Sequence, residues 1–284
     1  MKKKTALLLS TMILLAAAAC VLISYPIFSN YLSEQHHSEV RTEHYQKIEN
    51  MDKESLWIAE KEAVKYNGLL STGISDNSKG LINTDYYSLL NINNDGIMGY
   101  VEIPAINVYL PIAHGTEAKT LQDNIGHVIG SSLPVGGMGN HAVLSGHSGL
   151  AAQTMFNDLA QLRKGDMVYI HILKNVLAYE VDDSNTVLPS DVSLLSIQPN
   201  KDELTLITCT PVGVNTHRLL VHCSRTEYIA EKETENTDSQ TAEKPQSDWI
   251  MQYVQGITVG IAILLIAVII LYVSRLKKKQ RGNR

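Results

Sequence analysis

The chain is poor in several things, and each shortage excludes something. Three cysteines in 284 residues cannot make a disulfide scaffold. No acidic residue occurs within residues 1–30 or after Asp248. No proline occurs between Pro26 and Pro104. No charge interrupts Thr5–Phe28 or Trp249–Ser274, runs of 24 and 26 residues. Charge of one sign is missing from the ends, where nine basic residues stand unopposed (Lys2, Lys3, Lys4, Arg275, Lys277, Lys278, Lys279, Arg281, Arg284). Between them 15 basic residues face 29 acidic ones, a net of −14. Such a surface does not suit a nucleic acid, so no nucleic-acid partner is expected. A hydrophobic share of 44% also excludes disorder throughout.

Both uncharged runs are long enough for a bilayer core, which takes about 20 helical residues. Trp249, Tyr253 and Tyr272 lie near the ends of the second run, where amphipathic rings favour the interface. The first run has the basic start of a signal peptide but is long for one. Ala17–Cys20 makes a poor lipoprotein site, since position 17 is Ala and the apolar run continues past Cys20. Residues 1–30 are therefore read as a basic cytoplasmic end and an uncleaved anchor. Residues 249–274 are read as a second transmembrane helix, and 275–284 as a basic cytoplasmic tail. Lys and Arg mark the cytoplasmic side, so 31–248 is expected outside, with the membrane as a partner.

Residues 31–84 are read as a helical segment followed by a loop. Leu56, Ala59, Ala63, Tyr66 and Leu70 recur at helical spacing and form one apolar face, expected to pack on the domain that follows. With no proline present, one unbroken helix is expected over 31–70. Residues 71–85 are polar and carry Gly73 and Gly80, as a loop does. From Met98 the texture changes to short segments rich in Val, Ile, Leu, Tyr and Thr, such as MGYVEIP, HAVLSGH, MVYIHIL, ELTLITC and HRLLVHC. Gly, Pro, Asn and Asp separate them, which is the pattern of an all-β domain. Residues 229–248 have almost no apolar content and read as a flexible tether. Gly136-Gly137-Met138-Gly139 lacks the Gly-Lys-Ser/Thr ending of a phosphate loop and reads as a turn.

Cys209 ends an alternating segment, and Thr210-Pro211 then stops the strand. A rigid strand end beside a loop can present a nucleophile. If residues 204–209 and 217–223 pair like a hairpin, Arg218 comes close to Cys209. A guanidinium there favours a thiolate and can hold charge developing on a carbonyl oxygen. His147 lies where a strand runs into a Gly-flanked turn. His141, six residues earlier, competes with it, and spacing does not decide between them. Cys223 lies five residues past Arg218, an odd offset that points it to the other strand face, so it is not expected to pair with Cys209.

TLITCTP followed by Arg218, with VLSGHSGL upstream, resembles the TLxTC…R signature of sortases. GYVEIPAINVYLPIAHGT (Gly99–Thr116), GHVIGSSLPVGGMGNHAVLSGHSGL (Gly126–Leu150), LRKGD (Leu162–Asp166) and TLITCTPVGVNTHRLLVHCSR (Thr205–Arg225) resemble consecutive blocks of class C sortases, the pilin-polymerising transpeptidases of Gram-positive bacteria. The resemblance implies a mainly β fold: an eight-stranded barrel over about 85–228 with short helices, joined to the N-terminal helical segment and two transmembrane helices. It implies that Cys209 attacks the Thr–Gly bond of a sorting signal like Leu-Pro-x-Thr-Gly. His147 would be the general acid–base and Arg218 the oxyanion partner, with Thr208 helping to shape the site. Pilin subunits with C-terminal sorting signals would be the partners, and no metal or cofactor is implied. A cell-wall-anchoring sortase using a peptidoglycan amine, or a non-catalytic surface module, are the competing readings. Three departures stand out. The Asp-Pro-aromatic lid motif of many class C enzymes cannot occur in 27–103. A lid would have to use residues such as Asp76, Asp85, Tyr86 or Tyr87. Ser148 follows His147 where the family often has Arg, and the usual Leu-Leu-Val-Arg-Gly is Leu-Leu-Val-His-Cys at 219–223.

Overall fold

The computed structural model describes residues 2–71, 86–149 and 155–229, with Gly256 and Gly260 beyond them, and over most of 2–27 only the helical backbone. Among the described residues no helix is long and apolar enough to cross a membrane. The expected second span, the basic tail, the expected loop with Asp76 and Asp85, and the tether beyond Ile229 lie outside the described residues, save Gly256 and Gly260.

Two helices lead into the barrel: α1 (Lys2–Asn50) and α2 (Lys53–Ser71). The single helix expected over 31–70 is interrupted at Met51-Asp52 without a proline. Asp52 is the reason. Its carboxylate accepts from the Ser55 N–H at 2.7 Å and the Ser55 hydroxyl at 2.9 Å. A side chain that caps the first free amides of a helix starts a new one. The same two bonds hold the Asp52 carboxyl below its ordinary range.

The apolar face read from the sequence packs as expected. Ala63 and Tyr66 are buried in the main core, and Leu56, Ala59 and Leu70 lie against it. Asn67 secures the helix: its amide oxygen accepts from Leu133 N–H at 2.7 Å and its amide nitrogen donates to Leu133 O at 3.0 Å. The second half of α1 also lies on the barrel. His37 Nε2 is 2.8 Å from Asp123 O, Tyr45 and Tyr109 share a hydroxyl bond of 2.7 Å, and the Arg41 guanidinium lies 4.6 Å from the Tyr109 ring centre.

Eight strands follow: β1 (Ile97–Ile103), β2 (Val108–His114), β3 (Ile125–His127), β4 (Asn140–Ser145), β5 (Met167–Ile172), β6 (Asn175–Val187), β7 (Asp202–Thr210) and β8 (His217–Thr226). A short helix, α3 (Ala118–Asp123), sits between β2 and β3. The strands close into a barrel in the order β1-β2-β3-β4-β7-β8-β6-β5, and their number and closure are those that the resemblance implied. Closure removes the open edges that make sheets sticky. Two seams are parallel, β2–β3 and β4–β7; the others are antiparallel.

Alternation explains the interior. On β7, Leu204 and Leu206 point into the core with Val101, Ile112, Leu144, Ile170 and Val221, and Thr208 on the same face is buried too. Glu203, Thr205, Ile207 and Cys209 take the opposite face. The turn at Gly136–Gly139 is confirmed: Gly136, Gly137 and Gly139 all have positive φ, the region glycine enters without strain. It borders a cavity of about 580 Å³ that also touches Lys201, Asp202, Ser224 and Arg225. These residues start β7 and end β8, so the cavity lies at the barrel end away from Cys209.

Candidate active site

Three strand termini meet at one rim of the barrel. The β7–β8 register pairs Cys209 directly with Arg218, the hairpin-like neighbourhood inferred from the sequence. The β4–β7 register pairs Ser145 with Ile207. Past that pair, Gly146 N–H donates to Ile207 O and the Ser148 hydroxyl to Cys209 O, so both neighbours of His147 are tied to the end of β7. Cys209 and Arg218 therefore share one face of the barrel wall on adjacent strand ends, and His147 stands in the turn that follows β4. All three are half-exposed, open to a substrate but supported from beneath.

The turn that carries His147 is built tightly. Gly146 N–H donates to Ile207 O at 3.0 Å, continuing the parallel ladder past the end of β4. A Cβ on Gly146 would fall 2.6 Å from Ile125 Cδ1 and 2.8 Å from Phe156 Cδ2, so only glycine passes there. The His147 carbonyl accepts from Phe156 N–H at 3.0 Å. Thr208, 4% exposed, donates its hydroxyl to Gly146 O at 2.8 Å. Ser148 donates its hydroxyl to Cys209 O at 2.6 Å. Gly149 then turns the chain with φ +76°, and a Cβ there would run into Val212 of the β7–β8 loop.

Arg218 is held by its own loop. Its Nη1 donates to Asn215 O at 3.1 Å and to His217 O at 3.0 Å. A guanidinium carries five N–H donors in a planar fork, and these two bonds engage one nitrogen of it. Asn215, at φ +61°, bends the loop so that its carbonyl faces back to Arg218.

The structure separates the two competing histidines. His141 is 2% exposed. Its Nε2 lies 2.7 Å from Thr205 Oγ1 and its Nδ1 3.2 Å from Ser196 O, so both ring nitrogens are engaged. Thr205 Oγ1 also lies 2.9 Å from His222 Nδ1. His141 thus ties the β6–β7 loop to the barrel wall, while His147 is half-exposed.

Tyr86 and Tyr87 stand elsewhere. Tyr86 is fully buried, its hydroxyl 2.9 Å from His127 Nδ1 and receiving the Gly115 N–H at 3.1 Å. Tyr87 donates to Glu117 Oε1 at 3.1 Å. Both sit by the β2–β3 seam, which β4 separates from β7. Cys223, 1% exposed, pairs with Leu204 and lies in the core. Burial pushes its thiol far above the ordinary range. Cys209 and Cys223 are both free thiols. Among the described residues no cluster of His, Cys, Asp and Glu could hold a metal ion.

Comparison with known proteins gives this arrangement a family. The sortase domain model matches residues 101–226. Sortase A of Bacillus anthracis is 30% identical over 211 residues, 74% of this chain and 90% of the relative. The chain belongs to the sortase family. Sortases are cysteine transpeptidases, and this chain is an enzyme of that type. Among solved structures, the Streptococcus pneumoniae sortase C, studied for catalysis and pilin substrate specificity, is 37% identical with a TM-score of 0.61, covering 68% of this chain and all of that one. The Clostridium perfringens sortase C with the C-terminal cell wall sorting motif is 41% identical with a TM-score of 0.59, covering 67% of this sortase and all of that one.

Ser148 is the contributor that sequence reasoning missed. It registered only as a departure from the family, because its partner lies 61 residues away across the parallel seam.

Proposed function

We propose that this sortase cleaves a sorting signal resembling Leu-Pro-x-Thr-Gly between Thr and Gly and joins the Thr to a lysine amine of a pilin subunit. The observation that carries this is the register that pairs Cys209 with Arg218, beside the bonds that tie the His147 turn to the end of β7. The likeness to two sortase C structures, one concerned with pilin substrates and one with a sorting motif, supports the choice of substrate.

The Cys209 thiolate adds to the Thr carbonyl carbon, and the carbonyl oxygen takes the negative charge. Arg218 lies one strand over and donates N–H groups to that oxygen. Collapse breaks the C–N bond to Gly. His147 protonates the departing amine, and a thioester to Cys209 remains. The lysine amine then adds to the thioester carbonyl and gives a proton to His147. The C–S bond breaks, an isopeptide bond forms, and Cys209 returns as thiolate. Two uncharged runs flanked by basic ends support a chain anchored twice in the membrane, with residues 31–248 outside.

The test uses a strain that expresses this enzyme together with a pilin subunit bearing a Leu-Pro-x-Thr-Gly-like sorting signal. Cys209→Ala should abolish thioester capture of a sorting-signal peptide and remove high-molecular-weight pilin ladders. Capture that persists in Cys209→Ala would overturn the mechanism. Intact ladders in a deletion strain, with loss of wall-linked protein instead, would move the nucleophile to a peptidoglycan amine.

A further inference from the structure

Residues 146–148 and 207–209 are joined by three bonds, one between backbones and two from side-chain hydroxyls. Gly146 N–H donates to Ile207 O, the Thr208 hydroxyl to Gly146 O, and the Ser148 hydroxyl to Cys209 O. The first is an ordinary ladder bond. In an uninterrupted parallel ladder the Cys209 carbonyl would next accept from the Ser148 amide. Here the Ser148 hydroxyl reaches that carbonyl, at 2.6 Å. The strand pairing is thus prolonged by side chains through the stretch where β4 has already turned.

This bond closes a small ring of structure. It starts at the backbone of the residue after His147 and ends at the backbone of Cys209 itself. The His147 carbonyl is fixed on the other side by Phe156 N–H. Directly after Ser148, Gly149 turns away at φ +76° against Val212. The imidazole-bearing residue is therefore clamped between two fixed carbonyls, and one of those clamps is a single rotatable hydroxyl.

We propose that Ser148 is a positioning residue of this enzyme. It touches neither substrate nor reacting atoms. Its hydroxyl holds the His147 turn against the end of β7 and so sets the approach of imidazole to thiol. The inference rests on the proposed roles of His147 and Cys209. An arginine at this position would bring no hydroxyl to the Cys209 carbonyl, so this chain fixes its turn by a means its own sequence supplies.

Two isosteric variants of the full chain in detergent micelles isolate the hydroxyl: Ser148→Thr keeps it and Ser148→Val does not. Activity is followed on a fluorogenic Leu-Pro-x-Thr-Gly peptide. Small displacements of reacting groups lower rates steeply, so kcat should fall about tenfold or more in Ser148→Val, with KM within about twofold. Ser148→Thr should stay within about threefold of the parent. Alkylation of Cys209 by iodoacetamide, followed by mass spectrometry across pH 5–9, gives a second reading that needs no peptide. Its pH profile should match the parent in Ser148→Thr and shift in Ser148→Val. Equal kcat and equal alkylation profiles in Thr and Val variants would overturn the proposal. So would a loss confined to KM. Peptide turnover that survives Cys209→Ala would instead overturn the underlying roles, which keeps the two failures apart.

Discussion

His127 makes a sharp prediction about pH. It is completely buried, with Nε2 2.9 Å from Ser132 O and Nδ1 2.9 Å from the Tyr86 hydroxyl. A neutral ring satisfies both: Nε2–H donates to Ser132 O, and Nδ1 accepts from Tyr86 O–H. Burial, opposed by the Ser132 bond and aided by nearby His114, pushes the imidazole down to about 4. In the unfolded chain it returns to about 6.5. The unfolded state therefore binds a proton first as pH falls. Stability is greatest above pH 6.5 and is lost between about 6.5 and 4. Those two values correspond to a loss of about 2 kcal/mol from pH 7 to pH 5, approaching about 3 kcal/mol at pH 4. Burial also lowers His44 and His222, which adds loss of the same sign. The share of His127 is read by difference. His127→Gln keeps one donor and one acceptor but cannot titrate. Urea unfolding of both proteins at pH 7, 6 and 5 should show a shallower pH slope in the variant. Equal slopes, or an imidazole resonance of His127 titrating near 6.5, would refute the reasoning.

Two further outcomes are expected. Asn67→Leu leaves Leu133 N–H without its partner at a site only 1% exposed, while Leu133 C=O keeps the Val135 N–H at 2.8 Å. An unpaired buried group costs about 1–3 kcal/mol, so the urea midpoint should fall by the equivalent of about 1–3 kcal/mol. An unchanged midpoint would mean that α2 docks by its apolar face alone. Cys209 is half-exposed while Cys223 is 1% exposed. A small thiol reagent should modify the first in the folded protein and reach the second only after unfolding. Peptide mapping at early times checks this, and comparable rates at both would contradict the core placement of Cys223.

Much of the barrel was legible because short segments rich in Val, Ile, Leu and Thr stand between turn residues, and β4, β7 and β8 follow HAVLSGH, ELTLITC and HRLLVHC closely. β3 was not legible, since three residues are too few to show a period. The break before α2 was missed because it depends on one carboxylate meeting Ser55, not on proline. In the site, Cys209 and Arg218 are near in sequence and joined by a hairpin, so their meeting could be inferred. His147 against His141 could not be decided, because the answer lies in which side chain the β6–β7 loop covers. Ser196 and Thr205 supply it.

The closing seam also fixes when the enzyme can first act. β8 sits between β7 and β6, yet it is the last strand among the described residues. Pairing across large sequence separations forms late, because the intervening loops must be ordered first. The thiol at 209 leaves the ribosome before the strand that carries Arg218, and β4 waits more than fifty residues for its parallel neighbour. Until residues up to Thr226 have emerged, Cys209 has no opposite strand and His147 has no seam to rest on. A nascent chain therefore carries an unassembled active centre. Competence arrives in one step, with the final strand.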